Sequence, residues 1–278
     1  MVDDERAGRL FVVSTPIGNM GDFSFRAIET LRAVALVLAE DTRHSRPLLD
    51  RHEIGTPVAS YHEHNEARLT PRVLERLRRG EDVALISDAG TPLVSDPGAR
   101  LVKEVIDEGL AVVPIPGASA LLAALVGAGV DPSRFTFFGF LARKGRERRD
   151  ALADLAALRH TAVLYEAPTR VADTLADLVA IGAGERRVVV ARELTKQFEQ
   201  FRRGTVSELA AYYRESPPRG EVVIVIEAGV IESPTEDVIR ERVRELRAGG
   251  ASARDVTTRL VAELGLPRNL AYRLAHEP

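Results

Sequence analysis

The run Asp82–Asp88 (DVALISD) is apolar at nearly every position and lacks the in–out alternation of a half-exposed strand. A strand of that kind belongs in a sheet covered on both faces, the situation of parallel strands flanked by helices. Its surroundings fit. Arg9–Ser14 (RLFVVS) reads as a strand, Phe25–Val34 as a helix and Ala35–Glu40 (ALVLAE) as a second strand. Ser45–Arg51 is a short helix, Pro57–Tyr61 a short strand, and Glu66–Arg79 a long helix stopped by Gly80. Helix Ala99–Glu108, strand Ala111–Ile115 and helix Ser119–Gly127 follow. This alternation is the mark of βαβ units and predicts an α/β fold.

The second half opens on Arg134–Phe140 (RFTFFGF), the densest aromatic cluster of the chain. Helix Glu147–Leu158, strand Thr161–Glu166, helix Pro168–Ile181 and strand Arg186–Glu193 come next. Phe198–Arg203 and Glu221–Ala228 complete a second sheet, with helix Ser207–Glu215 between them. The expected organisation is an N-terminal α/β domain over residues 1–119 and a second α/β domain over 120–229, with one helix blurring the boundary. Residues 230–278 form a linker and a small helical extension. Gly229–Asp237 is a linker by composition, and the patterns Glu236–Arg247, Ala253–Leu264 and Arg268–Ala275 resemble a helix-turn-helix unit.

A chain of 278 residues with 45% hydrophobic content can bury the cores of about two such domains. It contains no cysteine, which excludes disulfides and thiolate metal sites and suits a reducing compartment. The opening MVDDERAGRLFVVS lacks the charged-then-apolar profile of a signal peptide. No apolar run approaches the ~18 residues that span a membrane, so no membrane partner and a cytoplasmic location are expected. Net charge is −3, from 38 basic and 41 acidic side chains. Such a balance neither demands nor forbids a nucleic-acid partner, because affinity for phosphate depends on local charge.

In open α/β sheets ligands sit beyond the carboxyl ends of the strands. The loop after the first strand, Thr15–Asp22 (TPIGNMGD), is not a dinucleotide fingerprint, and no P-loop occurs anywhere. Ser87–Gly98 (SDAGTPLVSDPG) is the unusual segment. It packs glycines, prolines and small polar residues directly behind a buried strand, so main chain can approach a ligand closely. Within it, Asp96-Pro97-Gly98 reads as a turn that caps a helix. Pro114–Ser119 (PIPGAS) follows the next strand in the same way, with Ser119 a natural N-cap. His62-Glu63-His64 invites a metal reading, but two histidines without further ligands favour a polar loop, so no metal is expected. The run Arg143–Arg149 (RKGRERR) could grip phosphate or lead, solvated, into a helix.

Taken together, STPIGN, AEDTRHS (Ala39–Ser45), SYHEHNE (Ser60–Glu66), DAGTPLVSDPG, YEAPTR (Tyr165–Arg170) and RELTKQFE (Arg192–Glu199) resemble the ribosomal RNA small subunit methyltransferase I family of the tetrapyrrole methylase superfamily. The resemblance covers residues 9–228, and the C-terminal helices match an extension that many members carry. It implies two α/β domains with S-adenosyl-L-methionine in the cleft between them, commonly as a homodimer. It implies methylation of the ribose 2′-hydroxyl of a decoding-centre cytidine in 16S rRNA. A slightly acidic chain without an extended basic face is expected to read shape within an assembled 30S subunit more than naked RNA. By resemblance, Pro16, Asp88, Ala89, Gly90, Val94, Ser95, Ser119, Ala120, Tyr165, Glu166, Leu194 and Gly220 hold the cofactor.

A hydroxyl acceptor needs a base or a charge that lowers its pKa. Lys196 with a depressed pKa, Asp41 and Glu40 are the candidates for catalysis; Arg43, Arg143, Lys144 and Arg146 are those for RNA. Two other readings stand beside this one. A tetrapyrrole-precursor or diphthamide-pathway methylase of the same superfamily typically opens with a Gly-rich stretch in place of STPIGN. A non-catalytic RNA-binding assembly factor would bind no cofactor.

Overall fold

The computed structural model describes residues 7–229, 236–264 and 266–276. The chain forms two compact units, Met1–Ala228 and Gly229–Pro278. The first unit contains both sheets. The first sheet has the order β3-β2-β4-β1-β5, from β1 (Arg9–Val13), β2 (Leu36–Ala39), β3 (Val58–Ser60), β4 (Val83–Ile86) and β5 (Ala111–Ile115). Every neighbouring pair in it is parallel.

The centre of this sheet is β4, the core of DVALISD, and all four of its residues are buried. Its side chains alternate between two cores, as the pleat requires. Ala84 and Ile86 pack with α1 (Phe25–Ala33) and α2 (Thr42–Arg51) through Ala27, Leu31, Leu48 and Leu49. Val83 and Leu85 pack on the other face with α3 (Glu66–Arg78) and α4 (Ala99–Asp107) through Val73, Leu77, Leu101 and Val105.

The second sheet has the order β6-β7-β10-β8-β9, from β6 (Phe135–Phe140), β7 (Thr161–Glu166), β8 (Arg187–Arg192), β9 (Gln200–Thr205) and β10 (Val222–Ile226). Only β6 and β7 run parallel; the other pairs are antiparallel. Helices α6 (Arg146–Ala157), α7 (Val171–Leu178) and α8 (Val206–Glu215) cover one face through Leu155, Leu175 and Leu209. Helix α5 (Ala120–Ala128) covers the other, with Ala124, Leu125 and Ala128 against Val163, Val189 and Val225. Residue 120, where the second domain was expected to begin, is thus the first residue of a helix packed on this sheet.

Three elements differ from the sequence expectation. Helix α2 begins at Thr42, three residues before Ser45, because the Asp41 carboxylate accepts the Arg43 amide at 2.9 Å and caps it. Strand β9 starts at Gln200, two residues late, since the residues before it form a loop. The single helix expected over 168–181 is a 3₁₀ turn (Pro168–Arg170), α7, and a wide terminal turn over Val179–Ala183 that breaks at Gly182.

In the second unit, α9 (Glu236–Ala248), α10 (Ala253–Leu264) and α11 (Arg268–His276) enclose a core of Ile239, Val243, Val256, Leu260, Ala271 and Leu274. Of the expected linker, residues 230–235 lie outside the described residues, as does Gly265 of the Leu264–Pro267 turn. Among the described residues no helix is long and apolar enough to cross a membrane.

A polar network locks α6 and α7 onto the second sheet. Glu166, at the end of β7, is 2% exposed. Its carboxylate accepts Thr174 Oγ1 at 2.6 Å and the Ala167 amide at 2.9 Å, with Arg170 Nε 3.3 Å away. Arg148 of α6 is also buried; it donates to Thr174 Oγ1 (3.0 Å), to the Ala142 carbonyl (3.0 Å) and to Asp177 (2.8 Å). Removing a charged donor that serves three acceptors leaves them desolvated and unpaired. Arg148→Ala is therefore expected to cost about 2–3 kcal/mol in urea unfolding. The exposed Arg143→Ala in the same basic run should stay within about 0.5 kcal/mol of the parent.

Candidate active site at the carboxyl edge of the first sheet

Because the first sheet is parallel, the chain segments that follow β1, β2, β4 and β5 all leave the same edge. Those after β1 and β4 are stitched together. Thr15 and Gly90 form an isolated antiparallel bridge, amide to carbonyl in both directions at 2.8 and 3.1 Å. Thr15 Oγ1 donates to the Ser87 carbonyl at 3.2 Å. Thr91 Oγ1 donates to the Ala118 carbonyl and sits 3.1 Å from Ser14 Oγ, which brings in the segment after β5.

The backbone here is strained. Of five non-glycine residues with left-handed φ among those described, Leu93 (71°) and Ser95 (69°) lie in the Ser87–Gly98 loop. Glu193 (52°) and Thr195 (65°) lie in the loop between β8 and β9. A β-branched residue such as Thr195 in that region is a true outlier. Strain of about 1–3 kcal/mol per residue persists only where surrounding structure enforces it.

These two loops face a cavity of about 350 Å³, within the range typical of small-molecule sites. Asp88, Ala89, Gly90, Val94 and Ser95 line it from the loop after β4, and Ser119 and Ala120 from the start of α5. Tyr165, Glu166, Leu194 and Gly220 line it from the second sheet and its loops. Eleven of the twelve residues named from sequence for the cofactor thus surround one space. Pro16, the twelfth, lines an adjoining cavity of about 190 Å³ together with Lys196. Glu166 contributes a wall rather than a polar contact, because its carboxylate is turned into the network with Thr174 and Arg170. The Tyr165 hydroxyl accepts the Leu121 amide at 3.2 Å, and the edges of Phe137 and Phe140 flank its ring.

Gly220 is required twice over. Its φ is 82°, and a Cβ would lie 2.0 Å from Glu193 Oε1. That oxygen accepts the Glu221 amide (3.1 Å) and Lys196 Nζ (3.0 Å), and Lys196 also reaches Glu221 Oε2 at 2.9 Å. The Lys196 stem crosses Gly18 so closely that a Cβ there would lie 2.5 Å from Lys196 Cγ.

Two of the catalytic residues expected from sequence are placed against that role. Partial burial works to lower the Lys196 pKa, but its hydrogen bonds to Glu221 and Glu193 prevail and raise it. It is a cation at neutral pH, and the depressed base expected from sequence is corrected. Asp41 caps α2 and is paired with Arg43; those bonds hold its carboxyl far below the usual range, which makes it a poor proton acceptor. Burial, then the charges of Asp88 and Glu63, raise Glu40, yet neither Glu40 nor Asp41 lines either cavity.

Among the carboxylates that line the main cavity is Asp96, pushed up to about 6 by burial and then by the charge of Glu40, with a Ser87 hydrogen bond opposing. From sequence Asp96 read only as a turn residue. The signal was its position, an acid in the middle of the one loop too elaborate for a simple connection. Phe140 and Glu221 also line the cavity unforeseen.

Of the residues expected to meet RNA, Arg43 is exposed and tied to Asp41. Arg143, Lys144 and Arg146 are exposed before and at the start of α6, and none lines either cavity. The His62 and His64 rings stand edge to face at 5.8 Å, and among the described residues no set of three metal-ligating side chains converges.

Residues 9–210 match the family model of the Tetrapyrrole (Corrin/Porphyrin) Methylases. The chain is similar to "Ribosomal RNA small subunit methyltransferase I" of Synechocystis sp., 46% identical over 273 residues, which cover 97% of this chain and 98% of that protein. It is 40% identical over 276 residues to the protein of that name from Bacillus subtilis, covering 97% and 94% of the two chains. Among solved structures it is similar to uroporphyrin-III C-methyltransferase of Thermus thermophilus complexed with S-adenosyl homocysteine, with a TM-score of 0.58 and 18% identity, covering 79% of this chain and 97% of that one. At that identity the likeness is one of fold. The chain belongs to the tetrapyrrole methylase family of S-adenosylmethionine-dependent methyltransferases, and within it to the ribosomal RNA small subunit methyltransferases I.

Proposed function

We propose that this chain transfers the methyl group of S-adenosyl-L-methionine to the ribose 2′-hydroxyl of a decoding-centre cytidine in 16S rRNA, within the 30S subunit. A cytoplasmic location and a homodimeric state belong to the same reading and rest on family likeness. The names of the relatives favour ribosomal RNA over a tetrapyrrole or diphthamide substrate. The carrying observation is that one cavity joins a shape suited to the cofactor with a carboxylate, Asp96, whose pKa of about 6 suits proton abstraction.

The fit to the cofactor rests on glycine. Positive φ at Gly90 and Gly220 brings main chain to the cavity, and at Gly220 a Cβ would drive Glu193 out of place. Apolar walls from Val94, Leu194, Val222 and Val223 suit the methylenes of a methionine chain and an adenine face, and Ser95, Ser119 and Asp88 supply polar groups. When bound, S-adenosylmethionine supplies an electrophilic methyl group on a sulfonium.

The residues of this chain supply the rest. The stitched loops fix the acceptor's line of approach, and orientation of that kind gives on the order of 7–11 kcal/mol. Asp96 would take the hydroxyl proton as the oxygen receives the methyl group and the carbon–sulfur bond breaks with its electron pair left on sulfur, and Lys196, held cationic by Glu193 and Glu221, would stabilise developing negative charge nearby. The chain's lack of cysteine argues against methylation of a pyrimidine carbon, which proceeds through thiolate addition to the ring.

Radiolabelled methyl transfer to undermethylated 30S subunits should place label on the 2′-oxygen of one cytidine. Label on a base, or none on RNA, would overturn the reading. Gly220→Ala should weaken cofactor binding about tenfold or more in calorimetry, and unchanged affinity would remove Gly220 from the site.

Asp96→Asn should lower kcat by about 10²–10⁴-fold while cofactor affinity stays within twofold. In the parent, kcat/KM should climb tenfold per pH unit up to about 6 and then level, because the ionised carboxylate is the active form. The raised pKa also means that folding favours protonated Asp96. That contribution to stability is present below the ordinary carboxylate pKa and lost as pH rises through about 6. The asparagine variant, always neutral, should keep its stability in neutral solution. A flat profile in the parent would refute the assignment.

A further inference from the structure

The smaller cavity, about 190 Å³, shares Ile17, Asp88, Ala89 and Glu221 with the main one, so the two spaces meet at a common wall. It is otherwise walled by the loop after β1, by α2 and by Lys196. On α2, His44, Ser45 and Leu48 present one face, as spacings of three and four residues dictate. Ser45 is 4% exposed, and its Oγ is buried without any hydrogen-bond partner. Buried hydroxyls are nearly always paired, so an unpaired one lining a cavity marks a place where a ligand atom belongs. His44 is exposed at the rim, Lys196 adds a cation, and Met20, Leu48 and Pro16 supply apolar surface.

A lining that combines apolar surface with polar side chains suits a heterocycle with its sugar. We infer that this cavity takes the target nucleoside turned out of its strand, its base against Met20 and Leu48 and its polar edge on Ser45 Oγ and His44. The ribose then faces the wall shared with the methyl-donor cavity. Enzymes that must reach one nucleotide commonly extrude it in this manner. The inference rests on the RNA methylation reading above and adds to it the place and residues of acceptor recognition.

Two variants test it. Ser45→Ala removes an oxygen that has no partner in the free protein, so Tm should not fall. KM for 30S subunits should rise about tenfold, with the affinity for S-adenosylmethionine within twofold. An unchanged KM overturns the inference, as does an equal loss of cofactor affinity. His44→Cys installs the only thiol in a chain without cysteine. Its alkylation by iodoacetamide should slow at least fivefold with an RNA fragment carrying the target cytidine. S-adenosylhomocysteine, or the same fragment abasic at the target, should leave it unchanged. Equal shielding by the abasic fragment, or no shielding, overturns the inference. If RNA shields the thiol while the parent protein labels no RNA, the reaction reading falls and the pocket stands. If RNA is labelled while the thiol stays open, the reverse holds.

Discussion

Two backbone hydrogen bonds between Thr15 and Gly90 hold the site together. A parallel sheet delivers its loops to one edge but does not fix their relation to one another. The bridge supplies that relation by treating two crossover loops as a short antiparallel ladder, and Thr91 extends it to the loop after β5. Only a residue at ease with positive φ can turn there, which is why position 90 is glycine. With three loops fixed, Asp88, Asp96 and Ser119 have fixed positions as well. The left-handed residues at 93 and 95 are then the cost of bending the remaining chain around the cavity.

The second sheet answers with a different device. Its central strands are antiparallel, and its contribution to the site depends on the buried network behind Glu166 and on the ion triad of Glu193, Lys196 and Glu221. The triad joins the Gly18 loop to the second-sheet loops on either side of Gly220, because the Lys196 stem lies directly over Gly18. The first-sheet half of the cleft is thus braced by backbone hydrogen bonds and the second-sheet half by charge.

Much of the fold was legible in the chain. The uniform apolarity of Val83–Ile86 required burial on both faces, and the structure puts that strand at the centre of its sheet. Ser87–Gly98 announced itself by composition, and the resemblance it shares with five other segments named eleven residues that surround one cavity. Electrostatic character was not legible. Arg148 sits in a run that reads as a phosphate grip, yet it is a buried brace, since which arginine of a helix turns inward depends on partners 26 and 29 residues away. Lys196 and Asp41 read alike as candidates for handling the hydroxyl proton; one gains two carboxylate partners and the other becomes a helix cap. Asp96 acquires its character from burial beside Glu40, a neighbour far off in sequence.

The strained positions carry a consequence for how such a protein can change. Leu93, Ser95, Glu193 and Thr195 are four of the five described places where a glycine or asparagine would relax the backbone at once, Glu53 after α2 being the fifth. A search for heat-resistant variants would therefore be drawn chiefly to the two loops that border the methyl-donor cavity. Ruggedness gained there would come from loosening the very loops that aim the reacting groups, so durability and speed are opposed at these four positions. Variants improved on both counts should instead gather on the far helices, where the chain is at rest.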